Sequence, residues 1–91
     1  MKKKKTPDTT CIVCGSPYVE MHHVFYGTSN RAKSDKYGYI VPLCHYHHNE
    51  PPDGVHFNKQ LDLYLKQTYQ ARFEQDHTRE EFIEEFGRSY L

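Results

Sequence analysis

With 91 residues, this chain should form one domain with a modest core, a size at which a bound metal helps to stabilise the fold. Lys and Arg number 12, as do Asp and Glu, so the formal net charge of +0 excludes a global field that attracts nucleic acid. The odd count of 3 Cys beside 7 His argues against a disulfide framework and favours metal binding.

The first residues, MKKKK, have the charge of a signal-peptide head, but TPDTTCIVCG follows where an apolar run would be needed. No later segment is long and apolar enough to span a membrane, so we expect a cytoplasmic protein. Residues 1–10 are interpreted as a flexible basic arm, either a solubilising tail or a phosphate-binding segment. Residues 11–91 are then a single domain.

A pair of cysteines opens this domain in the pattern Cys11-x-x-Cys14-Gly15. The two-residue gap lets both thiolates face one ion, although the pattern alone also fits redox chemistry. Cys44 and His47 supply a second pair with the same gap. The four residues therefore predict a closed structural zinc site of the zinc-knuckle kind, with His45 as the alternative fourth ligand.

The segment between the two cysteine pairs is β-like. Residues 19–25 and 37–41 are rich in β-branched and aromatic side chains, and Pro42 is expected to end the second strand. The Gly/Ser/Asn-rich stretch 26–36 predicts a long hairpin loop. Arg31, Lys33 and Lys36 in this loop are candidates for contacts with DNA phosphates, or they simply make the loop soluble.

Four further histidines surround the predicted zinc site. Adjacent strand residues point to opposite faces, so His22 and His23 should have different roles. His22, His48 and His56 could form a three-nitrogen site with open positions for water and a phosphate oxygen, which is typical of a catalytic metal. Three imidazoles favour Zn2+ or another transition metal, and Mg2+ or Mn2+ is a further candidate.

Beyond residue 58 the apolar spacing becomes helical. Residues 59–75 should form an amphipathic helix with Asn58 as its N-cap. Thr78 and Glu81 have the spacing of a capping box for a last helix, and Gly87 should end it. The expected fold is a small α+β zinc domain in which a β-hairpin is followed by helices.

The order of these motifs resembles that of the HNH endonucleases, also called ββα-metal or His-Me finger nucleases. CxxCG, the strand end EMHH, and VPLC followed by two histidines carry the resemblance over about residues 10–90. The basic hairpin loop and the REEF and FG segments are similar to the RecA-dependent recombination-enhancement nucleases of phages and prophages. The resemblance implies a ββα-metal core and a metal-dependent endonuclease that nicks or cuts DNA with low sequence specificity. It also implies a bacterial host cell and a recombinase filament as a partner.

Residue by residue, the resemblance makes His23 the general base that takes a proton from water, and His22 and His48 ligands of the catalytic metal. The family places a further ligand one helical turn later, where this chain has Pro52. His56 is the nearest candidate, provided that residues 49–55 fold back as a loop.

The middle residue of the HNH motif is an Asn in the family, and Tyr39 occupies its position in this chain. In the family this Asn stabilises the loop between the two strands. Asp35 or Asn49 is a candidate substitute here. Glu20 lies two residues before His22 on the same strand face. It is either a carboxylate that orients His22 or a solvated strand residue.

Two other functions remain open. A non-catalytic zinc-finger module that binds nucleic acid would use the Cys3His site and the basic arm, but would leave His22, His23, His48 and His56 without a role. An interaction protein that docks through its last amphipathic helix is the third reading, although the domain needs that apolar face for its own core.

Overall fold

The structure is a computed structural model that describes residues 4–5, 9–27 and 29–91, and of residues 4–5 only the backbone. The elements in chain order are β1 (Lys4–Lys5), β2 (Tyr18–His23), α1 (Asn30–Tyr37), β3 (Ile40–Leu43), α2 (His45–Asn49), α3 (Lys59–Phe73) and α4 (Arg79–Phe86). The fold is therefore a small α+β domain. Residues 1–3 and 6–8 of the predicted basic arm lie outside the described residues, whereas Lys4–Lys5 pair with β2.

The sheet has the order β1-β2-β3, and both pairs are antiparallel. The predicted hairpin is confirmed as the β2–β3 pair, in which His22 lies opposite Val41. The prediction that Pro42 ends the second strand is wrong, because Pro42 lies inside β3 opposite Met21. β3 is an edge strand, where a missing backbone N–H is tolerated, and the Pro42 carbonyl accepts a hydrogen bond from the Ile12 N–H at 3.1 Å.

The predicted long loop between the strands contains a helix, α1, and this is the main correction to the predicted fold. Its sequence NRAKSDKY has no apolar stripe, so periodicity could not reveal it. Tertiary contacts stabilise α1 instead: the fully buried Ser34 hydroxyl accepts from the Phe25 N–H at 3.0 Å and donates to the Phe25 carbonyl at 2.6 Å. Gly38, with φ of 73°, ends the helix in the left-handed conformation.

The two later helices follow the sequence pattern closely. Helix α3 begins after Asn58, whose side chain accepts from the Leu61 N–H at 3.1 Å, as predicted. Helix α4 has the predicted capping box between Thr78 and Glu81, and Gly87 ends it with φ of 97°. Two residues of the predicted range 59–75 fall outside α3, which ends at Phe73.

The core lies between the sheet and these two helices. Phe25 at its centre has ring contacts with Phe82 and Phe86 of α4, at centroid distances of 5.4 and 4.5 Å. Val41 and Leu43 of β3 are also buried there. The apolar face of α4 is therefore used inside the domain. In the part of the chain that the structure describes, no helix has the length and apolar character needed to cross a membrane.

Candidate metal centres

The three cysteines and His47 form one cluster that could hold a metal ion. Cys11 and Cys14 lie on the turn before β2, Cys44 follows β3, and His47 lies in α2. The Cys14 and Cys44 Sγ atoms are 3.7 Å apart, and His47 Nδ1 lies 3.3 Å from Cys44 Sγ and 3.8 Å from Cys11 Sγ. The four ligand atoms thus surround one small volume.

Backbone groups around this cluster favour a thiolate. Burial raises the pKa of Cys11, but the backbone N–H groups of Cys44, Cys14 and Val13 outweigh burial and hold that pKa to about 6. The Val13 N–H lies 3.4 Å from Cys11 Sγ. A thiolate is the form of cysteine that binds metals, so the turn prepares Cys11 as a ligand.

His45, the alternative fourth ligand, is engaged elsewhere. Its Nδ1 lies 3.0 Å from a Glu20 carboxylate oxygen, and its Nε2 lies 2.9 Å from Glu50. Hydrogen bonds to Glu20 and Glu50 raise the pKa of His45, so both nitrogens favour carrying a proton. The geometry therefore selects His47 for the cysteine cluster.

A second cluster, formed by His22, His48 and His56, could also hold a metal ion, and its ligand atoms lie within 4.8 Å of one another. The ring centroids are 5.1 Å apart for His22 and His48, 5.1 Å for His22 and His56, and 5.0 Å for His48 and His56. His22 Nε2 is buried and has no hydrogen-bond partner in the described part of the chain. An uncompensated buried nitrogen is costly, and a metal ion would satisfy it.

The loop after α2 brings His56 to this cluster. The Gly54 N–H donates to the Glu50 carbonyl at 2.6 Å and the Val55 N–H to the His47 carbonyl at 2.7 Å, so the chain turns back on α2. A Cβ atom at Gly54 would lie 2.7 Å from the Glu50 backbone N and O atoms, which only glycine avoids. Residues 49–55 therefore fold back as the assignment of His56 requires.

Two imidazoles of this cluster, those of His22 and His56, favour the neutral form that a metal ligand needs. Burial, together with the charges of the neighbouring His48 and His56, lowers the pKa of His22 to about 3. Burial, followed by the proximity of His48, also lowers the pKa of His56.

Glu20 is neither solvated nor bonded to His22, the two alternatives left open by the sequence, because it is buried and contacts His48. Its carboxylate is 3% exposed and accepts from His48 Nδ1 at 2.8 Å and from Asn49 Nδ2 at 3.0 Å. Burial raises the pKa of Glu20, but the hydrogen bonds from His48 and His45 outweigh burial and lower it. Because an ionised carboxylate only accepts, Nδ1 of His48 carries the hydrogen and Nε2 remains for a metal.

We therefore predict that Glu20→Gln weakens metal binding at the three-histidine cluster by roughly tenfold to a hundredfold. The glutamine amide keeps the shape of the side chain but turns one of two acceptor oxygens into a donor. Competition between the protein and a chromophoric chelator for Zn2+ measures the change. Glu50→Gln is the matched control, because the histidine that Glu50 contacts is His45, which lies outside the three-histidine cluster. Equal zinc affinities for the two variants would contradict the prediction.

A cavity of about 380 Å³ opens beside the three-histidine cluster. The residues that line it are Met21, His22, His23, Tyr26, Gly27, Arg31, His48, Asn49 and His56. His23 is only partly buried, and its Nε2 lies 2.8 Å from Asp35 Oδ1. The two adjacent histidines therefore have different surroundings within one cavity: His22 belongs to the metal cluster and His23 faces a carboxylate.

The three basic residues of the predicted loop divide into two groups. Arg31 is exposed and lines the cavity. Lys33 donates to the Glu85 carbonyl, and Lys36 Nζ lies 3.4 Å from the Glu85 carboxylate. Lys33 and Lys36 thus connect α1 to α4, and their contact with DNA stays a prediction.

Two residues that line the cavity, Tyr26 and Met21, could not be identified as site residues from the sequence. Tyr26 packs against His22 and His56 at centroid distances of 5.7 and 5.3 Å. Met21 is 43% exposed although it lies in a strand. Only the fold shows that both line the cavity, because a lone aromatic or Met residue is usually part of a core.

No protein-family model, curated protein or solved structure matches this chain.

Proposed function

We propose that this protein is an endonuclease of the HNH kind that hydrolyses DNA phosphodiester bonds with the help of a divalent metal ion. One observation carries the proposal: His23, paired with a carboxylate, lines the same cavity as a cluster of three imidazoles, two of which are buried. Phosphodiester hydrolysis needs a base for the attacking water and a cation beside the phosphate. This cavity offers a candidate for each.

The cysteine cluster is proposed to be a structural zinc site, with Cys11-x-x-Cys14 as a zinc knuckle. Tetrahedral zinc with Zn–S bonds of about 2.3 Å separates its sulfur ligands by about 3.8 Å, close to the 3.7 Å between Cys14 and Cys44 Sγ. Four protein ligands leave no open position, which is typical of a structural site. In this proposal the zinc joins the β2 turn to α2.

The His22, His48 and His56 cluster is proposed to hold the catalytic ion. Its nitrogen donors suit Zn2+ or another transition metal, and Mn2+ or Mg2+ would suit an active form in which water and phosphate supply the other ligands. When bound, such an ion would stabilise negative charge on the scissile phosphate and on the departing 3′-oxygen. Glu20 supports this role by fixing the nitrogen that His48 presents.

His23 is proposed to be the general base. A neutral imidazole has one ring nitrogen with a free lone pair, which can accept the proton of an attacking water. Arg31 lines the same cavity, and its guanidinium can bind a phosphate through two parallel hydrogen bonds. Contacts with phosphates carry no sequence information, which supports low sequence specificity.

The proposed setting is a phage or prophage gene product that acts on DNA in the cytoplasm of a bacterial host, with a recombinase filament as a partner. This part of the proposal is supported by the resemblance to the RecA-dependent nucleases. In this proposal the recombinase filament delivers the DNA substrate to the cavity.

The test is cleavage of supercoiled plasmid by protein stripped of metal and resupplied separately with Mg2+, Mn2+ or Zn2+. We expect relaxed or linear product with at least one ion, and none with the stripped protein. If the refolded, zinc-loaded protein cuts under no ion but still retards DNA in a gel, the non-catalytic zinc-finger function replaces this proposal.

A further inference from the structure

Helix α1 brings a carboxylate to the proposed base. His23 Nε2 and Asp35 Oδ1 are 2.8 Å apart across 12 residues of sequence. The His23 side chain is 19% exposed and that of Asp35 is 61% exposed, so the pair lies at the rim of the cavity. Asp35 lies in α1, so this helix places the carboxylate beside His23.

The contact determines which nitrogen of His23 carries the hydrogen. An ionised carboxylate can only accept, so Nε2 must be the donor and Nδ1 keeps the lone pair of the neutral ring. We propose that Asp35 is a positioning residue that holds His23 in the Nε2–H tautomer, so that Nδ1 is the atom that takes the proton from water. This inference rests on the proposed function and adds a residue to it.

His23 takes one proton in the proposed hydrolysis step. The water O–H bond breaks and its proton moves to His23 Nδ1, while the new bond forms from the water oxygen to phosphorus. The bond from phosphorus to the 3′-oxygen breaks, its electron pair leaves on that oxygen, and solvent supplies a proton. Asp35 touches neither the water nor the phosphate in this scheme, and it acts only through the ring of His23.

The structure holds Asp35 in place through its neighbours on α1. Ser34 is fully buried and makes both of its hydrogen bonds to the Phe25 backbone, two residues beyond His23. On the other side, Lys36 and the Tyr37 hydroxyl contact the Glu85 carboxylate of α4. The helix is therefore anchored to β2 and α4 on either side of Asp35, so the carboxylate is available to His23 at little entropic cost.

Asp35→Ala tests the inference by steady-state plasmid cleavage, since an exposed helical position accepts alanine without loss of fold. We expect kcat to fall roughly tenfold to a hundredfold with KM unchanged, and Asp35→Glu to recover part of the loss. The same change should add nothing in a His23→Ala background, because Asp35 acts through that ring. Asp76→Ala removes another exposed carboxylate as the matched control and should leave kcat unchanged.

A second readout does not need activity. Long-range proton–nitrogen correlation spectra of zinc-loaded protein, recorded where imidazoles are neutral, should show His23 as the Nε2–H tautomer in wild type and as a tautomer mixture in Asp35→Ala. An unchanged tautomer, an unchanged kcat, or an equal loss in the His23→Ala background would each overturn the inference. A wild-type protein that cuts under no ion overturns the proposed function and the catalytic part of this inference, while the spectra still decide whether Asp35 fixes the ring.

Discussion

Replacement of His23 by alanine is expected to lower the rate of plasmid cleavage by about 10²- to 10⁴-fold, the usual contribution of a general base. The fold and the metal content should not change, because His23 belongs to neither metal cluster and is not part of the buried core. Initial rates of nicking, measured beside the metal content and the thermal unfolding midpoint of the same preparation, test both parts of the expectation.

His77→Ala is the matched control for this experiment. His77 stacks on Phe73 at a centroid distance of 4.1 Å, and it belongs to neither metal cluster nor the lining of the 380 Å³ cavity. The His77→Ala variant should cleave plasmid at the wild-type rate. If His23→Ala also cleaves at that rate with equal metal content, another group is the base, and the role proposed for His23 is wrong.

Cys44→Ala is expected to have the largest effect on stability. Cys44 follows β3, its Sγ accepts from the His47 N–H at 3.4 Å as the N-cap of α2, and it belongs to the proposed zinc site. Structural zinc in small domains contributes on the order of 10 kcal/mol of apparent folding free energy, more than the whole net stability of most domains. We expect the variant to lose one tightly bound metal and to be largely unfolded at 25 °C.

Thermal unfolding monitored by circular dichroism, together with metal counting by native mass spectrometry, measures this effect. Val13→Ala is the control, because Val13 lies in the same turn, is 47% exposed and has no ligand atom in its side chain. Wild-type protein treated with a strong chelator should behave like Cys44→Ala. A Cys44→Ala variant that unfolds at the wild-type midpoint would show that the cysteine cluster does not stabilise the fold.

Local sequence signals were sufficient for much of this fold. Helices α3 and α4 have apolar residues at helical spacing and explicit caps at Asn58 and Thr78, so neighbouring residues alone specify them. The two ligand clusters could also be grouped from the sequence, because cysteine and histidine are rare and their spacing limits which residues can face one ion. The return of His56 to the cluster needed only a short turn, and the PPDG segment is typical of one.

The remaining features depend on contacts between distant residues. Helix α1 has no apolar stripe. It is stabilised by the hydrogen bonds of Ser34 to the Phe25 backbone and by contacts with Glu85, which no pattern within residues 26–36 could reveal. The pairing of Asp35 with His23 follows from that helix. From the sequence, Glu20 could either orient His22 or be a solvated strand residue. Instead it is buried, and α2 brings His48 within 2.8 Å of its carboxylate.

In the function proposed here, a metal centre open to substrate lies beside His23, separate from the closed cysteine site. Anomalous diffraction from crystals of zinc-loaded protein soaked in Mn2+, measured at the absorption edges of both metals, tests it most directly. We expect one zinc peak bound by Cys11, Cys14, Cys44 and His47, and a second metal peak bound by three imidazoles with further positions held by water. A single peak at the cysteine site, with none among His22, His48 and His56 at saturating metal, would contradict it.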